Sequence, residues 1–439
     1  MSVNITIEPR AGGVDVSRHI RLTGLAPGER VELRASSHDN EGTAWNSAAT
    51  FIADSDGVID LARDAPAEGS YAQVDPGGLI WSQAQVRQPH ALPAGKRDPL
   101  HPIRVELVVA HGSQTLVQDA FEQSFLAPGV TRTPLDQHGF VGTLFTPAGT
   151  GPHPVVVVLN GSGGGINEQR AALLASHGFA ALALGYFGAP GLPNHISGTP
   201  LEYFETALQW LHAHVRPADG FIAVMGQSRG GELSLLLASE FPRHIAAVVA
   251  YVPSSVVHGV LAAGHPGESR YAPAWTRRGS PLLTVWEGNE VAQGWEAIEG
   301  QAEPRRQAAA FVQAQSNPTA VARARIPVEQ IQGPVLLLSG GDDGYWPSTA
   351  YAAHIAQQLR DAHHPHEILH LDFPQAGHFI QHPIVPTTLI AKAHPVSGIV
   401  MTGGGTPEAN ARANRDSWPQ CLDFLRRSVA ARSRARQSA

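Results

Sequence analysis

The sequence predicts two folds in series: an all-β sandwich over residues 1–126, then a mostly parallel, doubly wound α/β domain over residues 127–439. Three observations carry this. Residues 5–125 read as short apolar alternations broken by turn signals. Beyond residue 128, unbroken apolar runs alternate with helix-length segments. Finally, Gly226-Gln227-Ser228-Arg229-Gly230 stands between one such run and one such segment.

In the first region the alternations are Ile20-Arg21-Leu22, Val31-Glu32-Leu33-Arg34-Ala35, Ala49-Thr50-Phe51-Ile52-Ala53, Val58-Ile59-Asp60-Leu61 and Arg104-Val105-Glu106-Leu107-Val108-Val109. A period of two places every second side chain on one face of a strand, as in a sheet buried on one side. Asp39-Asn40-Glu41-Gly42 and Asp54-Ser55-Asp56-Gly57 supply the residues that tight turns require. No stretch shows convincing helical periodicity. The four-proline stretch 89–102 reads as a loop, since 104–110 resumes a strand. This domain is expected to pack or interact rather than catalyse.

The boundary falls near Ala127-Pro128-Gly129. After Gly139-Phe140-Val141-Gly142-Thr143-Leu144-Phe145-Thr146 comes Pro154-Val155-Val156-Val157-Val158-Leu159, whose five consecutive apolar residues indicate a strand buried on both faces, as in a parallel sheet. Further strands are predicted at 180–184, 221–225, 246–250, 334–338 and 367–371. Helices are predicted at 168–177, 201–214, 231–240, 348–362 and 409–429, the last containing Pro419. In such a sheet a ligand sits beyond the C-terminal ends of the strands.

Composition narrows the function. With 16% charged and 43% hydrophobic residues, the chain is an ordinary globular protein, and 439 residues make two domains the default. A net charge of −7 gives no basic footprint for nucleic acid. Cys421 is the only cysteine, so no intrachain disulfide forms and a reducing compartment is expected. No secretory signal and no membrane-spanning stretch is visible, and a cytoplasmic enzyme without cofactor is the simplest expectation.

The central motif, placed between strand and helix, reads as a nucleophile elbow of the α/β-hydrolase kind. Small residues flank Ser228 because the turn is strained and tightly packed, and the helix N-terminus favours an oxyanion forming beside it. Two further strand-end loops complete a mechanism. Ser339-Gly340-Gly341-Asp342-Asp343-Gly344 offers the carboxylate, and Gln375-Ala376-Gly377-His378 the imidazole. Ser228, Asp343 and His378 occur in the chain order that this fold uses, with Asp342 as the rival acid. His378 would take the hydroxyl proton, and the carboxylate would orient the ring. The loop Asn160-Gly161-Ser162-Gly163-Gly164-Gly165 is positioned to supply oxyanion donors from Gly161, Ser162 or Gly163, with the Arg229 N–H as the second donor. A phosphate-binding loop is the alternative, against which stand the missing P-loop lysine and the unmatched glycine spacing. His363, His364, His366 and His370 cluster without a metal-ligand pattern and read as solvated or capping, so no metal is expected. His382 and His394 lie farther beyond the strand end.

The chain also resembles, over nearly its full length, the type I acyl-CoA thioesterases and the bile acid-CoA:amino acid N-acyltransferases. The similar stretches include Gly24-Leu25-Ala26-Pro27, Ala53-Asp54-Ser55-Asp56-Gly57, Gly78-Leu79-Ile80-Trp81-Ser82, Phe125-Leu126-Ala127-Pro128-Gly129-Val130, Gly161-Ser162-Gly163-Gly164-Gly165, Leu201-Glu202-Tyr203-Phe204-Glu205, the elbow through Leu233, Ile326-Pro327-Val328-Glu329, Gly340-Gly341-Asp342-Asp343 with Trp346, Ala376-Gly377-His378 and Gly403-Gly404. The resemblance implies an acyl-CoA thioester substrate and points to Asp343 rather than Asp342. A serine nucleophile is the hydrolase variant of the family and cysteine the conjugating one, so Ser228 implies hydrolysis. A carrier-bound thioester substrate, acyl transfer to an amine or alcohol, carboxylester hydrolysis and a non-catalytic binding fold are the alternatives.

The chain departs from the family at 253–325, which is longer than in the mammalian thioesterases and carries Trp275, Trp286 and Trp295 among Arg270, Arg277, Arg278, Arg305 and Arg306. This insertion reads as a lid whose aromatics line an acyl pocket and whose arginines meet CoA phosphates, or else as local packing and solvated charge.

Overall fold

The computed structural model describes residues 2–86, 98–290 and 295–437, so the loop expected at 89–102 lies outside the described residues up to position 97. Two compact units are present. One comprises residues 1–127, 381–389 and 406–415, and the other residues 128–380, 390–405 and 416–439. The later pieces of the first unit lie beyond the single boundary expected near residue 127.

The first unit is rich in sheet. One sheet orders its strands Ala11–Gly13, Gln114–Ser124, Ile103–His111, Arg30–His38, Ala44–Ile52 and Glu68–Gly69, with Ala84–Gln85 also on Ala44–Ile52; a three-stranded sheet orders Asn4–Glu8, His19–Thr23 and Ile59–Asp60. The expected alternation is present: Val31, Leu33 and Ala35 are buried while Arg30, Arg34 and His38 are exposed. The hairpin joining Arg30–His38 to Ala44–Ile52 turns at Asp39, whose Oδ1 accepts the N–H groups of Glu41 and Thr43, both at 2.9 Å. One helical turn, Gly78–Trp81, departs from the all-β expectation, and all four of its residues are buried. A glycine starts it because a Cβ at Gly78 would lie 2.2 Å from the Tyr71 ring. No apolar periodicity over four residues announces such a turn.

In the second unit an eight-stranded sheet runs Thr131–Leu135, Val141–Thr146, Ala180–Gly185, Val155–Leu159, Ile222–Gln227, Ala247–Tyr251, Val335–Gly340, Ile368–Phe373. The two outermost pairings at its start are antiparallel and the other pairings parallel. Val155–Leu159 and Ala247–Tyr251 are buried at every position, as their unbroken apolar character requires. From Val155–Leu159 the chain passes to Ala180–Gly185 on one side and to Ile222–Gln227 on the other. The strand order therefore reverses here, and the crevice at the carboxyl ends of these two strands is the ligand position of an open α/β sheet. Asn160 to Gly165 and Ser228 follow those two ends directly.

The helices Glu168–Ser176, Arg229–Glu240 and Ser348–Asp361 lie close to the expected bounds. Leu201–Trp210 ends sooner, in a π-helical turn at Leu211–Val215, and Pro407–Gln437 is longer than expected and continues through Pro419.

Candidate active site

Ser228 precedes the helix Arg229–Glu240 with φ 59° and ψ −120°, a strained conformation for a side chain with a Cβ. The surroundings impose it. A Cβ at Gly226 would meet the Gly230 carbonyl oxygen at 2.0 Å, and one at Gly230 would meet that of Asn160 at 2.4 Å, so only glycine lets strand, turn and helix approach this closely. The Ser228 N–H donates to the Tyr251 carbonyl at 2.9 Å, which pins the turn to the next strand. The Arg229 N–H has no acceptor among the described residues and stands at the positive end of the helix dipole.

Arg229 itself is buried. Its guanidinium meets Glu232 at 2.9 Å and the carbonyls of His258 and Gly259 at 3.2 and 2.7 Å, and Trp275 Nε1 donates to the same carboxylate at 2.9 Å. Burial pushes the Glu232 carboxyl above its ordinary value and the Arg229 charge opposes that rise. Breaking one half would leave an uncompensated buried charge, so the pair holds the start of the helix beside Ser228.

His378 and Asp343 are almost fully buried, and His378 Nδ1 lies 2.8 Å from Asp343 Oδ2 and 3.0 Å from Oδ1. A carboxylate on Nδ1 fixes the proton there and leaves the Nε2 lone pair as the basic site. The Asp343 carboxylate also accepts the N–H groups of Tyr345 and Trp346 at 2.8 and 3.2 Å. The Tyr345 ring stacks on His378 with centroids 4.5 Å apart and planes at 12°, and burial followed by the Asp343 charge pushes its phenol up to about 12.

Both loops are clamped by the glycine segment Gly403-Gly404-Gly405. The carbonyl of Gly403 accepts the N–H of His378 at 2.8 Å and of Gly344 at 2.9 Å, while Asp343 bridges to Gly404 and Ala376 to Gly405. Asp342 points elsewhere: its half-exposed carboxylate pairs with Arg306 at 2.6 Å and accepts the Gly405 N–H at 2.8 Å.

Ser228 opens into a niche of about 20 Å³ lined by Ser162, Arg229, Tyr345, Trp346 and His394 among others. That is room for about one water-sized group. Four of its lining residues, Leu261, Ala262, Gln307 and Met401, also line a cavity of about 420 Å³, so the two volumes adjoin. The Ser228 hydroxyl makes no hydrogen bond among the described residues, and catalytic hydrogen bonds commonly tighten only around substrate. What ties its turn to the His378 loop is Gln227, whose amide donates to the His378 carbonyl at 3.1 Å.

Of the expected oxyanion residues, Gly161 packs against Ser228, where a Cβ would be 3.5 Å from that of the serine, but its N–H donates to Asn160 Oδ1 at 3.0 Å. The N–H groups of Ser162 and Gly163 have no acceptor among the described residues. His364 bonds the Gly333 carbonyl at 2.9 Å and His370 the Ser339 hydroxyl at 2.7 Å; among the described residues no three His, Cys, Asp or Glu side chains could hold a metal ion. His382 stacks edge-on with Phe125.

Of the three tryptophans in 253–325, Trp275 and Trp286 are core residues bonded to Glu232 and His258, whereas Trp295 lines the larger cavity. Arg270 and Arg305 line it too; Arg277 pairs with Glu202 and Glu240, and Arg306 with Asp342. Sequence reasoning missed Gln227, Tyr345 and the clamping role of Gly403–Gly405, and it set His394 aside by its distance along the chain. Gly403-Gly404 is marked only by the family resemblance, and no period or motif points to the roles of Gln227, Tyr345 and His394.

Two family models match. The one described as BAAT / Acyl-CoA thioester hydrolase C terminal covers residues 199–431, and the one described as Acyl-CoA thioester hydrolase/BAAT N-terminal region covers residues 15–137. The chain is 34% identical to acyl-coenzyme A thioesterase 2, mitochondrial, of Mus musculus, over 98% of this chain and 91% of that protein. It is 34% identical to acyl-coenzyme A thioesterase 1 of Mus musculus over 98% and 97% of the two chains, and 34% identical to the Homo sapiens mitochondrial thioesterase 2 over 98% and 85%. The chain therefore belongs to the acyl-CoA thioester hydrolase/BAAT family and is an enzyme.

Proposed function

We propose that this protein hydrolyses an acyl-CoA thioester to free acid and thiol through Ser228, His378 and Asp343, by way of an acyl-serine intermediate. The observation that carries this reading is the buried His378–Asp343 pair, with Nδ1 2.8 Å from the carboxylate, held by Gln227 to the strand that ends just before Ser228. In the first half-reaction Ser228 Oγ attacks the thioester carbon while His378 Nε2 takes its proton. That proton then passes to the departing thiolate. In the second half-reaction a water gives its proton to the same nitrogen and attacks the ester, and Ser228 leaves with the proton restored.

The negative oxygen formed at each tetrahedral stage fits a niche that holds one small group beside the Arg229 N–H at a helix N-terminus. Preorganised donors of this kind each contribute a rate factor of about 10²–10³. The adjoining cavity of about 420 Å³, with Leu261, Trp295, Ile298, Ile399 and Met401 in its wall, is the space we assign to the substrate.

The reading extends to the domains. Residues 1–126 form a β-sandwich, supported by two sheets of alternating strands, and residues 127–439 the catalytic domain. The segment 253–325 acts as a lid, supported by the cavity wall it contributes through Leu261, Arg270, Trp295 and Gln307. A cytoplasmic, reducing site of action fits the lone buried thiol of Cys421.

A hydrolysis screen across acyl-CoA lengths, with simple esters and with glycine or taurine as acceptors, tests the function. Free acid from thioesters supports hydrolysis, conjugate in preference to acid supports transfer, and activity confined to simple esters overturns the substrate class.

A further inference from the structure

His394 sits beside the nucleophile. It lies at the turn of a hairpin formed by Ala391–Ala393 and Val400–Thr402, where its N–H and carbonyl close the turn with Ile399 and Gly398 at 2.9 and 2.8 Å. The same hairpin runs on into the Gly403–Gly405 clamp. At its turn, Pro395 would lie 3.0 Å from a Cβ on Gly163, so the hairpin packs on the glycine loop that follows Val155–Leu159.

The imidazole is only 4% exposed, with Nε2 2.9 Å from Ser162 Oγ. Its Nδ1 faces two donors, the N–H groups of Val396 at 3.3 Å and Ser397 at 3.4 Å. A ring nitrogen that receives N–H groups carries none itself. Burial, followed by the nearby Lys392 and Arg229 charges, pushes the ring's pKa down to about 4, so it is neutral at neutral pH and its single proton is on Nε2. The bond to Ser162 therefore runs from His394 to the serine. A hydroxyl has one hydrogen and two acceptor sites. With one acceptor site filled and no other hydrogen bond at Ser162 among the described residues, its own O–H remains to be donated, and Ser162 and His394 both line the Ser228 niche.

We propose that the Ser162 hydroxyl is a side-chain oxyanion donor for the reaction at Ser228, and that His394 is the positioning residue that holds it in the donor orientation. The proposal rests on the acyl-serine reading above. A neutral N–H···O–H···O⁻ chain strengthens its terminal bond through polarisation of each link by the next. The same tautomer argues against Ser162 and His394 as a second nucleophile and base. His394 turns a proton rather than a lone pair toward the hydroxyl, and Nδ1 meets backbone donors where a base would need a carboxylate or another acceptor.

The test compares Ser162→Ala, Ser162→Thr, His394→Gln and His394→Leu with the wild type in steady-state acyl-CoA hydrolysis and in inhibition by a trifluoromethyl ketone analogue of the substrate, which becomes an oxyanion when Ser228 adds to it. Circular dichroism checks folding. Ser162→Ala is expected to lower kcat by about 10- to 100-fold with KM changed by less than about threefold, and to weaken the ketone by a similar factor. Ser162→Thr, which keeps the hydroxyl, and His394→Gln, which keeps an N–H donor, should each retain more activity than Ser162→Ala and His394→Leu respectively. A purely structural role would not weaken the ketone in step with kcat. Folded Ser162→Ala with wild-type kcat and ketone affinity, while Ser228→Ala is inactive, overturns the oxyanion role alone. Full turnover by Ser228→Ala overturns the reading beneath it as well.

Discussion

The side-chain amide of Gln227 donates to the main-chain carbonyl of His378 at 3.1 Å, and the buried guanidinium of Arg170 reaches Gln227 Oε1 at 3.2 Å while lying 4.5 Å from the centre of the Tyr251 ring. The residue before Ser228 is thus tied to the loop that carries His378. Gln227→Leu removes both links, and Arg170 Nη1 already lacks a partner among the described residues. We expect it to lower kcat by about tenfold or more, since small misplacements of a base are costly. Stability should fall by roughly 1–3 kcal/mol from the buried groups left unpaired. Steady-state kinetics and urea melts check both.

The two adjacent aspartates separate cleanly. Asp343→Asn removes the charge that fixes the His378 tautomer and is expected to cost about 10⁴ in kcat. Asp342→Asn changes a half-exposed side chain paired with Arg306 and should leave kcat within about threefold and stability within about 1 kcal/mol. Parallel assays of the two variants on one acyl-CoA test the choice.

Glycines with left-handed φ respond differently according to what surrounds them. Gly404 has φ +75°, and a Cβ there would come within 1.9 Å of the Asp342 carbonyl oxygen; Gly398 has φ +71° with nothing within 4 Å. Gly404→Ala is expected to destabilise by more than about 2 kcal/mol and to displace the clamp on His378, whereas Gly398→Ala should show only the backbone cost of about 1 kcal/mol. Melting curves with activity at a permissive temperature distinguish them.

Burial also makes stability depend on pH. His258 is enclosed by Ser254, Trp286 and Tyr351, and burial, helped by the Arg229 charge, holds its ring well below its ordinary value; His394 is lowered to about 4 by burial, Lys392 and Arg229. A depressed imidazole is neutral in both states above the unfolded value of about 6.5, and below it the unfolded chain binds the proton first. Stability is therefore fully present above pH 6.5 and is lost as pH falls toward the folded values, by roughly 1.4 kcal/mol per unit for each ring. Denaturant melts at pH 7 and pH 5 should differ accordingly, and His394→Gln should shrink that difference by roughly 2 kcal/mol.

Much of the second unit was legible because Val155–Leu159, Ala247–Tyr251 and their neighbours are apolar at consecutive positions, a pattern that a strand covered on both faces requires. Ser228 was legible because the glycines of the elbow are a steric necessity written locally. Gln227 and His394 were not. Their roles come from residues 151 and 232 positions away in the chain, and a period or a short motif carries no such contact. Arg229 and Trp275 mislead in the same way: one lies in the motif and the other in an insertion rich in aromatics, yet both side chains close on Glu232 inside the fold. The turn Gly78–Trp81 is too short for any helical pattern to register.

The central claim is that Ser228 becomes acylated. Rapid quenching of the enzyme with an acyl-CoA, followed by proteolysis and mass spectrometry, should find the acyl mass on the peptide containing Ser228, with none on folded Ser228→Ala and no turnover by that variant. An unmodified Ser228 peptide together with undiminished hydrolysis by Ser228→Ala would contradict the account.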